Sequence, residues 1–90
     1  MTKSILQSEK ECYITGSTEN LDRHHCFQGS RRQLSEKYGC VVWLRHDIHM
    51  RLHDSDRELD LRIKRDCQSA FESKYDHDTF MRIFGRNYLL

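Results

Sequence analysis

The chain has 90 residues, enough for one small domain that buries only about 60% of its unfolded surface. Charged residues make up 32% and the longest apolar run is Cys40-Val41-Val42-Trp43-Leu44, so no membrane-spanning helix is expected. Nine aromatic residues argue against a disordered chain, and the polar opening Met1-Thr2-Lys3-Ser4-Ile5-Leu6 has no signal-like apolar core. A cytoplasmic α+β domain is the expectation.

Residues 1–11 read as a loosely ordered N-terminus and 12–90 as the single domain, with its core about 12–55 and C-terminal helices about 56–90. Leu21 to Phe27 reads as a short strand that ends at the turn cluster Gln28-Gly29-Ser30. Ser30 is a candidate cap for a helix from Arg31 to Tyr38, with Gly39 as its stop. The β-branched and aromatic run Val41 to Leu44 predicts a second strand, and Asp47 a helix carrying His49 and His53.

A longer helix is predicted from about Asp56 to Tyr75. Leu59, Ile63, Cys67, Ala70 and Phe71 recur every three or four residues along it. Asp76 or Asp78 is placed to cap a last helix with Phe80, Ile83 and Phe84 on one side, and Gly85 to end it. Cys12, Cys26, Cys40 and Cys67 form no Cys-x-x-Cys pair, so free and mostly buried thiols are expected.

Fifteen basic residues nearly cancel fourteen acidic ones, but the distribution is uneven. Between Arg23 and His53 stand Arg23, Arg31, Arg32, Lys37, Arg45 and Arg51, against only Glu36 and Asp47. That local excess suits a polyanion. Five of the six histidines occupy the same stretch: His24, His25, His46, His49 and His53. On a helix His49 and His53 share a face, a spacing that suits two ligands of one divalent ion. His24 and His25 are neighbours on a strand and should point to opposite faces unless the strand is distorted. Three ligating histidines plus a free one fit phosphodiester cleavage. A metal neutralises phosphate charge while an imidazole with a pKa near 6.5 takes a proton from water. The competing reading is a structural zinc held by four histidines.

Glu11-Cys12-Tyr13-Ile14-Thr15-Gly16, Asp22-Arg23-His24-His25-Cys26-Phe27-Gln28-Gly29, Ser35-Glu36-Lys37-Tyr38-Gly39 and Phe80-Met81-Arg82-Ile83-Phe84-Gly85-Arg86-Asn87-Tyr88-Leu89 together resemble small phage-encoded HNH endonuclease-like proteins. The resemblance covers nearly the whole chain after residue 10. It implies a ββα-metal finger with helices appended, and metal-dependent cleavage of DNA. Position by position it makes His24, His49 and His53 the metal ligands and His25 the general base. The cofactor would be one divalent ion (Zn, Ni, Mn or Mg), and a homodimer would let so small a nuclease cut both strands. Arg23, Arg31, Arg32 and Arg51 are candidate phosphate binders from charge and nearness in sequence alone.

The chain departs from the pattern in three places. Only Cys12 remains of a first zinc-knuckle half, no asparagine stands near Cys40, and the spacer before His53 is short. The alternative is therefore a catalytically decayed module of the same fold that binds a protein or nucleic acid, for example a phage inhibitor of a host defence enzyme.

Overall fold

In the computed structural model, which describes residues 2–90, β1 (Leu21–His25) and β2 (Val41–Arg45) pair antiparallel. Leu21 stands opposite Arg45 and His25 opposite Val41. A 3₁₀ turn (Gly29–Arg31) and α1 (Arg32–Tyr38) connect the strands. The chain then continues through α2 (His46–Asp54), α3 (Arg57–Lys74) and α4 (His77–Phe84). The fold is α+β, as the sequence predicts. No helix among the described residues is long and apolar enough to cross a membrane.

β1 is two residues shorter than predicted because the chain turns away after Cys26, whose N–H makes the last bond to the partner side, at the Cys40 carbonyl 2.9 Å away. Phe27 donates its N–H to Ser35 Oγ at 3.1 Å, and the Ser35 hydroxyl donates back to the Phe27 carbonyl at 2.7 Å. Ser35 is fully buried, and this exchange fastens α1 to the end of the strand. Ser30 does not cap α1; the helix grows out of the 3₁₀ turn, where Arg31 N–H reaches the Gln28 carbonyl at 3.2 Å. At the other end Gly39 adopts φ +73°, the left-handed cap that glycine takes at least cost. A Cβ there would also run into the Lys3 carbonyl.

Two strands alone are not independently stable, so the helices must supply the core. α3 does so with Leu59, Ile63, Cys67 and Phe71, the predicted face. Its N-terminus is capped by Asp56, whose carboxylate accepts the Leu59 N–H at 3.0 Å. Asp76, rather than Asp78, caps α4 through the Thr79 N–H at 2.6 Å. Phe80 and Phe84 of α4 pack with Phe27 and Phe71 at centroid distances of 4.6–5.7 Å. Each such ring contributes roughly 1.5–3 kcal/mol by burial. All four cysteines are free and buried. Hydrogen bonds with Cys26 and Cys40, then burial, push the Cys67 thiol far up, so it is inert.

The opening segment, predicted to be loosely ordered, lies along the outer edge of β2; Met1 is outside the described residues. Ser4 Oγ donates to the Val41 carbonyl, Gln7 Oε1 accepts the Trp43 N–H at 2.8 Å, and Ile5 N–H reaches the Gly39 carbonyl at 2.9 Å. Ile5 and Leu6 pack against the core. An unpaired strand edge needs partners, and two apolar side chains in a polar tract need cover. Each answers the other.

Candidate metal centre

Strand alternation sorts the residues of β1. Asp22 and His24 turn toward α2, whereas Arg23 stands across from Trp43 on the other face. His24 is 2% exposed, and its Nε2 is the one buried side-chain nitrogen or oxygen among the described residues that has no hydrogen-bond partner. Burial first, then the nearby His49 and His53, holds its pKa down to about 3. It is a neutral imidazole with a lone pair to offer.

His49 and His53 sit one turn apart on α2 and face His24, with ring centroids 5.2 and 5.6 Å from it. One nitrogen from each of the three lies within 4.8 Å of the others, and the Nε2 atoms of His49 and His53 are 3.0 Å apart. Metal–nitrogen bonds of about 2.0–2.1 Å at tetrahedral or octahedral angles place ligand nitrogens roughly 2.9–3.4 Å apart. The His49–His53 pair already has that spacing. An unpartnered buried imidazole facing two others is a donor set that fits a divalent ion.

The geometry also assigns a tautomer. Asp22 Oδ2 accepts from His49 Nδ1 at 2.9 Å, so in the neutral ring the lone pair is on Nε2, the nitrogen that faces His53. The same oxygen takes His46 Nδ1 at 2.7 Å, so His46 braces Asp22 and stays outside the three-nitrogen group. These bonds, His49 before His46, hold the Asp22 carboxyl below its ordinary range. Asp22 escaped the sequence reading. Its signal was there: two positions before His24 on a strand is the same face.

His25 sits at the end of β1, and its Nε2 meets Glu36 Oε1 of α1 at 3.0 Å. Glu36 also receives Arg23 through a fork, Nε at 3.1 Å and Nη2 at 2.8 Å. That fork, followed by the bond from His25, draws the Glu36 carboxyl down to about 2. In the neutral tautomer that gives Nε2–H to this carboxylate, the lone pair of His25 is on Nδ1. No spacing rule ties Glu36 to the histidines, since it arrives from a separate helix.

A cavity of about 270 Å³ joins these parts, lined by Arg23, His24, His25, Arg32, His49 and His53 together with Gln28 and Gly29. The adjacent histidines thus reach one space despite strand alternation. Two of the predicted phosphate binders are elsewhere. Arg31 donates from Nε to the Phe84 carbonyl at 2.6 Å and ties the 3₁₀ turn to α4. Arg51 pairs with Asp56 at 3.2 Å, beside the α3 cap. Arg23 and Arg32 line the cavity, Arg23 with its Nε and Nη2 already given to Glu36 and its Nη2 also to the Thr2 carbonyl at 2.7 Å.

The chain matches no protein-family model, no curated protein and no solved structure.

Proposed function

We propose that the protein is a metal-dependent endonuclease of HNH type that hydrolyses DNA phosphodiester bonds. The observation that carries this reading is a free, carboxylate-held histidine, His25, on the same cavity as a three-imidazole cluster. A purely structural zinc has no use for it. The order β1, β2, α2, with ligands on the first strand and on the helix, supports reading this part as a ββα-metal finger.

His24, His49 and His53 would hold one divalent ion, which supplies charge neutralisation on the phosphate and on the leaving 3′-oxygen. Arg23 and Arg32 orient the phosphate from the cavity wall. His25 Nδ1 takes a proton from water, whose oxygen bonds to phosphorus as the bond to the 3′-oxygen breaks, and the departing 3′-oxygen takes a proton from solvent. The products are a 3′-hydroxyl and a 5′-phosphate. Glu36 steadies the imidazolium that forms on His25, and Asp22 holds His49 in its ligating tautomer.

The test is nicking of supercoiled plasmid with Mg²⁺, Mn²⁺, Ni²⁺ or Zn²⁺. Nicking should require metal, vanish in His25→Ala, and slow about tenfold or more in Glu36→Gln. Silence of the folded wild-type protein in every metal would refute the reading and leave a binding module.

A further inference from the structure

The other face of the sheet carries a larger feature that the metal centre does not use. A groove of about 710 Å³ lies between the opening segment and the sheet, lined by residues 2–10 together with Arg23 and Trp43. Trp43 is half-buried on this face, directly across the strand pair from Arg23. Lys10 Nζ stands 4.6 Å from its ring centroid and the Arg23 guanidinium 5.7 Å. Lys3 lines the same groove, and neither Lys3 nor Lys10 makes an ion pair among the described residues.

Arg23 belongs to both spaces, since it also lines the cavity holding the histidines. A strand with one phosphate at Arg23 therefore has a continuation toward Trp43. There it meets an aromatic face flanked by the exposed cations Lys3 and Lys10, the combination that binds unpaired bases without reading sequence. A lysine over an aromatic ring is an exposed, exchangeable partner, so a base can take its place while the ammonium moves to a phosphate.

We infer that this groove is a single-stranded DNA subsite, in which a base beside the scissile phosphate stacks on Trp43 and Lys3 and Lys10 hold the backbone. The inference takes its ligand from the nuclease reading.

Trp43 is the only tryptophan in the chain, so its emission reports the groove alone. In EDTA, a short oligothymidylate should quench that emission to saturation. Anisotropy of a labelled oligothymidylate then compares variants. Trp43→Leu and the exposed-site double variant Lys3→Glu/Lys10→Glu should each bind about tenfold or more weakly than wild type. Arg82→Glu on α4, which also lowers the net charge, should bind as wild type does. Absent quenching by the oligothymidylate, or equal affinity of the double variant and wild type, would overturn the inference. Plasmid nicking on the same preparations separates the two proposals. Nicking without quenching removes the groove alone, and quenching without nicking removes the nuclease while the groove stands.

Discussion

Removing one exposed ligand should uncouple the ion from the fold. An ion that binds only the folded chain stabilises it by RT ln(1 + [L]/Kd), about 2.7 kcal/mol at a free concentration one hundred times Kd. For a domain of this length roughly 4–8 °C accompany each kcal/mol, so wild type should gain about 10–20 °C in Tm over its value in EDTA. His53 is exposed, and His53→Ala should change the EDTA value by no more than about 0.5 kcal/mol. If losing that imidazole weakens binding about one-hundredfold, the same free metal half-fills the site and leaves only ~0.4 kcal/mol, two or three degrees. Asp22→Asn, which keeps all three ligands but loosens the His49 tautomer, should fall between the two. Thermal scans at fixed pH and buffered free Zn²⁺ or Ni²⁺ read all three. An equal metal shift in wild type and His53→Ala would refute the reasoning, because the ion would then sit on other donors.

Two further expectations concern the metal-free fold. His24 has a folded pKa of about 3 against about 6.5 when unfolded, so the unfolded chain takes the proton first. Its contribution is whole above pH 6.5 and is lost as pH falls toward 3, at up to about 1.4 kcal/mol per unit. Urea midpoints in EDTA between pH 7 and 5 should fall for wild type and much less for His24→Leu; equal slopes would contradict this. Gly39→Ala meets both a left-handed backbone and the Lys3 carbonyl and should lose about 2 kcal/mol or more in chemical denaturation. Gly16→Ala, at φ +79° in open space, should lose only about 1 kcal/mol; equal losses would mean that the Lys3 contact is without consequence.

What the sequence made legible was local. The three-to-four spacing from Leu59 to Phe71, the helix start near Asp56, the cap Asp76 and the stops Gly39 and Gly85 each depend on residues within a turn or two. The histidine cluster needed only the pairing of one strand with the helix that follows the next. The rest depended on where distant groups meet. Charge alone put Arg23, Arg31, Arg32 and Arg51 in one class, yet a carbonyl 53 positions away claims Arg31, the α3 cap claims Arg51 and Glu36 claims Arg23. Glu36 read as one of two acids in a basic stretch and became the partner of His25 and Arg23 together. The edge of β2 and the two apolar side chains at Ile5 and Leu6 were both visible, but nothing local says that one covers the other.

His24 is the residue that best separates a working centre from a relic. A buried imidazole nitrogen with no partner costs about 1–3 kcal/mol, a large share of what a 90-residue domain has to spare. A leucine there would pack without that loss, beside Val42 on the opposite strand. The expense makes physical sense when Nε2 gains a bond in the loaded state, and His49 and His53 stand where that bond would be shared. A structural site would close the remaining position with a fourth ligand. Here the three histidines line one cavity with His25, Arg23 and Arg32, so under the proposed nuclease reading that shared space is where a phosphate would bind.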